Sequence, residues 1–199
     1  GKLMAATYLG GTEQELAAAL DVGPGGQLWI AGASASDDFP TTPGAADNSF
    51  HGGSSLQPFD AFVTRLDANL EQVIWSTFLG GDRMDLATAV HVDAAGRATV
   101  VGDTGSSDFP VTPGAWSTEF AGGDMNFDAD AFLARLSADG TAVPYATFLG
   151  GSLGDGARGV ALVGPARVVV AGVSQSLDLP VTAGAYQSEH GGSGIAPFD

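Results

Sequence analysis

The phrase "DDFPTTPGA" at 37–45 returns as "SDFPVTPGA" at 107–115 and, in worn form, as "LDLPVTAGA" at 177–185, with starts 70 residues apart both times. A phrase recurring at constant spacing marks a repeat architecture, in which each copy forms one supersecondary unit and buries its apolar face against its neighbours. Two further markers keep the period. "TYLGG" at 7–11 becomes "TFLGG" at 77–81 and 147–151, and "DAFVTRL" at 60–66 becomes "DAFLARL" at 130–136. The chain therefore divides into residues 1–11, expected as the last strand of a preceding blade with the strand itself near 3–9, then a first repeat at 12–81, a second at 82–151 and a partial third at 152–199. All belong to one domain, and the chain is expected to begin and end inside repeat units.

Within a unit the pattern predicts four strands. In the second unit "DLATAVHVDAAGRATVVGDT" gives strands at 86–92 and 97–103 around the "DAAG" turn, where Asp93 and Gly96 supply hairpin chemistry. The third strand falls in "DAFLARLSADG", ended by Gly140, and the fourth in "VPYATFLGG", closed by the glycine pair. Between strands two and three runs a connection of about 26 residues, far beyond the usual loop of about 4 to 6. One segment dissents locally: "TEQELAAALD" at 12–21 has the composition of a helix. Its equivalents "DRMDLATAVH" and "LGDGARGVAL" do not, and one place in a repeat should carry one structure, so a strand is expected at 16–22.

Both faces of these strands are apolar or small. In "AFVTRL", Phe62 and Leu66 point one way and Ala61 and Val63 the other, the pattern of strands covered on both sides. Four-stranded antiparallel sheets stacked face to face between copies of themselves are the blades of a β-propeller, which closes with about 4 to 8 of them. The fold class is thus all-β, an incomplete propeller or a piece of a longer one.

The series "TFLGG", an acid a few residues on, "VDAAGRATVVGDTGSSDFPVTPGA" and "DAFLARL" resembles the SBBP family, the bacterial β-propeller repeat of large secreted or surface-attached proteins. The resemblance covers nearly the whole chain, in two clear copies and one eroded one. It implies a propeller, export to the cell surface or exterior, and a role in binding or display; it supplies no catalytic residues.

Charge narrows the partners. Against 7 bases stand 23 acids, a net charge of -16, and such a field repels nucleic acid and anionic lipid. There is no cysteine, which removes disulfides and thiolate metal sites. No apolar run is long enough for a membrane-spanning helix. A protein or glycan ligand remains open, together with further chain or further subunits to complete the ring.

In the recurrent phrase, Thr112 and Pro113, repeated as Thr42 and Pro43, have the chemistry of a helix N-cap and first helical position. Phe39, Phe109 and Leu179 would pin the start of the long connection, with Pro40, Pro110 and Pro180 holding it extended. The phrase is expected to be framework rather than site.

Two sets of acids recur: Glu15, Asp85 and Asp155 after the glycine pair, and Asp38, Asp108 and Asp178 before the proline. Each set would form a ring in a propeller. Hydrogen bonding to turn amides is the favoured role, with a cation-binding rim as the alternative. A separate calcium candidate occurs once. "DMNFDAD" places Asp124, Asn126, Asp128 and Asp130 at alternating positions, the oxygen-rich spacing with which calcium loops begin, although Ala129 and Arg135 replace the turn glycine and bidentate glutamate of an EF-hand. The histidines His51, His91 and His190 lack metalloprotease spacing, and the sole lysine, Lys2, rules out a P-loop. A non-catalytic binding or display scaffold is the favoured function. The alternatives are a propeller-fold carbohydrate-active enzyme, marked by a cleft with two convergent carboxylates, and a structural repeat of a surface filament or layer.

Overall fold

Each short turn expected between strands one and two closes an antiparallel hairpin, and each hairpin then recruits the two strands beyond the long connection. The computed structural model describes residues 1–52, 59–122, 129–164 and 167–191. Strands β1 (Glu15–Val22), β2 (Leu28–Ser34), β3 (Asp60–Leu66) and β4 (Val73–Leu79) form a first antiparallel sheet in that order. Strands β5 (Asp85–Val92), β6 (Ala98–Thr104), β7 (Asp130–Arg135) and β8 (Tyr145–Leu149) form a second of identical topology. Strands β9 (Asp155–Val163) and β10 (Arg167–Ser174) make a two-stranded third. The helix-like composition of 12–21 is overridden: Glu15–Val22 is a strand, bonded along its length to β2.

The registers are copies. Asp85 lies opposite Thr104 and Thr104 opposite Asp130, as Glu15 lies opposite Ser34 and Ser34 opposite Asp60. In each sheet the first strand carries a bulge, between Ala17 and Ala19 and between Ala87 and Ala89. A glycine faces it. A β-carbon on Gly102 would collide with the Leu86 carbonyl oxygen and sit 2.8 Å from Phe132, and Gly32 and Gly172 meet the carbonyls of Leu16 and Gly156 in the same way. The missing side chain lets the bulged strand lie close.

The sheets stack through their apolar faces. Trp29, Ala31, Val63 and Trp75 of the first sheet meet Val100, Phe132, Ala134 and Phe148 of the second in one buried cluster. Val101, Ala131 and Leu133, on the opposite face of the second sheet, pack with Ala157, Val160 and Val168 of the third. Alternate residues of one strand therefore serve different interfaces. Strand β5 lies against β1 and β2 on one side and β9 on the other.

The long connections are tied down at both ends of the recurrent phrase. Phe39 packs on Phe62 and Phe78, with ring centroids 4.5 and 5.7 Å away, and Phe109 repeats this on Phe132 and Phe148 at 4.6 and 6.1 Å. Leu179, where the third sheet has only two described strands, is 39% exposed.

Three expectations are corrected. Thr112 and Pro113 do not start a helix: Gly114 has φ 79°, and the amide of Ala115 bonds the Thr112 carbonyl at 3.1 Å, closing a turn with proline then glycine at its centre. The Thr112 hydroxyl is engaged elsewhere, accepting from the Ala146 amide at 3.2 Å and donating to its carbonyl, so the phrase is stitched to the β8 edge. Thr42 does the same at Ser76. Residues 3–9 form no strand, since a fourth strand needs a third beside it, as β8 has β7, and no described strand lies there. The third strand of the second unit stops at Arg135; Gly140, with φ 72°, belongs to the following turn, where its amide bonds the Ser137 carbonyl.

Candidate functional site

The end of the sheets where strands one and three begin collects the acids. After β4, Gly80 and Gly81 turn the chain into the next sheet, and the Asp85 amide bonds the Phe59 carbonyl at 2.7 Å; at the next junction the Asp155 amide bonds the Ala129 carbonyl at the same distance. Two carboxylates meet at each junction, one from strand three of one sheet and one from strand one of the next. Asp60 and Asp85 meet at the first, Asp130 and Asp155 at the second.

Each of these groups has one oxygen that accepts hydrogen bonds, two in Asp85 and Asp155 and one in Asp60 and Asp130. Asp85 Oδ2 accepts from the Gly81 amide at 2.8 Å and the Ser106 hydroxyl at 2.8 Å. Asp155 Oδ2 repeats this with Gly151 at 2.6 Å and Ser176 at 2.7 Å. Asp60 Oδ2 accepts from the His51 amide, and Asp130 Oδ2 from the Ala121 amide at 2.7 Å. The other oxygen, Oδ1, has no hydrogen-bond partner in any of the four. Asp60, Asp85 and Asp130 have no solvent exposure, and Asp155 has 6%.

Glycine makes room for the meeting. A β-carbon on Gly80 would lie 3.2 Å from Asp60 Oδ1 and 2.8 Å from Asp85 Oδ2; on Gly150 it would lie 2.5 Å from Asp130 Oδ1 and 3.0 Å from Asp155 Oδ2. Removal from water disfavours the charged forms, and the neighbouring carboxylate adds to it in Asp85 and Asp130. Burial pushes Asp60 up to about 6, Asp85 to about 7 and Asp130 to about 6.

The second recurrent set does what a turn acid does. Asp38, Asp108 and Asp178 accept from the amides of Thr12, Asp82 and Ser152 at 2.8, 2.9 and 2.9 Å, bridging the glycine-pair turn to the start of the long connection. A side chain on Gly11, Gly81 or Gly151 would strike these aspartates. Glu15 keeps, from Ser36 at 2.5 Å, the bond that Asp85 and Asp155 accept from Ser106 and Ser176, and its Oε1 also accepts from the Ser34 hydroxyl at 2.9 Å.

Of the calcium candidates, Asp124, Asn126 and Asp128 lie outside the described residues. Asp130 is the first residue of β7, and a β-carbon on Gly150 would meet both its Oδ1 and Asp155. His51 is paired with Asp47 at 3.1 Å and His91 with Asp21 at 3.4 Å, while the His190 ring is 3.3 Å from the Ser174 carbonyl. Among the described residues no group of three or more histidine, aspartate or glutamate side chains is placed to hold a metal ion.

At the opposite end of the second sheet a depression of about 420 Å³ is lined by His91, Arg97, Arg135 and Leu162 among others. Its arginines are not free, since Asp93 Oδ2 pairs with Arg97 at 2.7 Å and Arg135 at 3.1 Å. The junction pairs were half visible in the sequence. Asp85 and Asp155 stood out as a periodic set, and Asp60 and Asp130 opened the "DAF" marker, but nothing in one dimension says that strand three of one unit meets strand one of the next. No protein-family model matches the chain, and no curated protein matches it significantly.

Proposed function

We propose that this chain is a segment of a β-propeller of the SBBP type which its motifs resemble, and that it works as a non-catalytic scaffold for binding or display on the outside of a bacterial cell. One observation carries the propeller reading. The first strands of all three sheets lie together, with β5 against both β1 and β9, while no comparably close approach joins the fourth strands β4 and β8. Sheets stacked face to face with their first strands together suit blades set about an axis.

The convergent carboxylates that a carbohydrate-active enzyme would need do occur, as Asp60 with Asp85, but both are sealed from solvent, and a sugar ring has no access to them. That enclosure favours a role inside the framework. The outer faces of the described sheets favour further blades: Leu16, Leu20 and Val22 of β1, and Val169 and Val173 of β10, are exposed apolar side chains at the two ends of the stack.

Sedimentation and limited proteolysis of the chain test the reading. A propeller segment associates through its end faces, or is cut at the edge of β10 that no described strand pairs, and its assemblies appear as radial rings by electron microscopy. A monodisperse, protease-resistant monomer overturns the proposal.

A further inference from the structure

We propose that each junction between successive sheets binds one hard divalent cation of the calcium class, held at the first junction by Asp60 and Asp85 and at the second by Asp130 and Asp155. Three observations lead there. The Oδ1 atom of every one of these aspartates is buried without a hydrogen-bond partner, although the Oδ2 atom of the same carboxylate accepts at least one hydrogen bond. Buried acceptors are left unmatched rarely, and four equivalent ones in two copies of one arrangement share one cause. Gly80 and Gly150 mark where the two carboxylates approach, since a β-carbon on either would lie within 3.2 Å of the unmatched Oδ1 of the strand-three aspartate and within 3.0 Å of Oδ2 of the strand-one aspartate. No lysine or arginine among the described residues forms an ion pair with any of the four.

The charge balance selects the ligand. Two buried carboxylates carry two negative charges in a medium that punishes net charge, and one divalent cation cancels both. Oxygen-only coordination from carboxylates selects a hard ion, with main-chain oxygens or water completing a shell of six or more. Such an ion joins strand three of one sheet to strand one of the next, so its binding fastens neighbouring sheets together. The second junction shares Asp130 with the "DMNFDAD" candidate but does not depend on its other acids, because the first junction has the same arrangement although residues 53–58 read "GSSLQP" and contain no acid.

The test is calorimetric titration of the chelator-stripped chain with calcium near pH 7.5, together with melting curves in chelator and in millimolar calcium. Two binding equivalents per chain and a higher melting temperature in calcium are expected. Asp85→Asn, which keeps an acceptor for Gly81 and Ser106, should lose one equivalent, and Asp155→Asn the other. The double variant Asp124→Asn, Asp128→Asn should keep both. One equivalent that disappears in that double variant assigns the cation to the loop acids and overturns the proposal. No binding, with a melting temperature indifferent to calcium but rising on acidification, shows a shared proton instead and overturns it equally. If Asp85→Asn fails to fold, the stoichiometry of the unaltered chain decides, since fewer than two equivalents contradicts two equivalent junctions.

Discussion

Truncating Phe109 to alanine tests whether the recurrent phrase is an anchor. The ring is 2% exposed and belongs to the cluster between the first and second sheets, touching Phe132 at 4.6 Å and Phe148 at 6.1 Å between centroids. Removing a buried phenylalanine side chain costs about 3 to 5 kcal/mol through lost transfer energy and the cavity left behind. Each aromatic pair adds about 0.5 to 1.5 kcal/mol beyond area. Since two pairs are lost and the β-sheet frame on either side cannot collapse into the gap, the upper part of that range applies, about 4 to 5 kcal/mol. For a chain of this length each kcal/mol lowers the melting temperature by about 2 to 4 °C, so a fall of about 8 to 20 °C is expected by circular dichroism. Two controls share the assay. Ser117→Ala removes a hydroxyl that donates to the Glu119 carbonyl and accepts weakly from the Glu119 amide, both at the surface, and should cost less than about 0.5 kcal/mol. Leu179→Ala alters the same place in the phrase, but at 39% exposure, and should cost about 1 kcal/mol or less. A Phe109→Ala variant no less stable than the Ser117→Ala variant would refute the anchor.

Gly102→Ala places a methyl group against the Leu86 carbonyl in the bulge, a fixed backbone atom, and should destabilise by about 1 to 3 kcal/mol or more in urea; an unchanged midpoint would show that the bulge is soft. Thr112→Val keeps the volume but loses the hydroxyl's bonds to the backbone of Ala146, leaving the Thr112 amide's bond to the Ala146 carbonyl, and should cost about 1 to 2 kcal/mol by the same measurement. In chelator, the junction carboxylates should shape the pH dependence. Asp85 titrates at about 7 in the folded chain and near its ordinary 3.8 in the unfolded one, so between these values the folded state holds more protons and its contribution to stability falls as pH rises. Asp85→Asn should therefore gain on the unaltered chain as pH goes from about 4 to about 7, with a constant difference beyond either end. A difference that does not change with pH would mean that Asp85 is not desolvated.

Secondary structure and its periodicity were legible in the sequence because both are local and repeated. The 70-residue spacing of "DFPVTPGA", "TFLGG" and "DAF" gives the unit length. The alternation of Phe62 with Ala61 and Val63 shows strands covered on two faces, and the comparison of 12–21 with its equivalents overrides a local helix preference in favour of β1. Burial of Phe39 and Phe109 also follows from their place before a proline in a fixed phrase. The turn at Thr112–Ala115 did not follow. Proline before glycine serves a helix start and a type II turn alike, and the choice was made by the distant Ala146, whose backbone claims the Thr112 hydroxyl. The roles of Asp60 and Asp85 lay further out of reach. Their separation along the chain says nothing of their meeting, which exists only because the Gly80–Gly81 turn hands one sheet to the next and brings the start of β3 beside the start of β5. Local preferences and spacing determine what each unit is. Which side chains confront one another is decided by stacking, because burial and mutual repulsion of charges arise only when the sheets close over them.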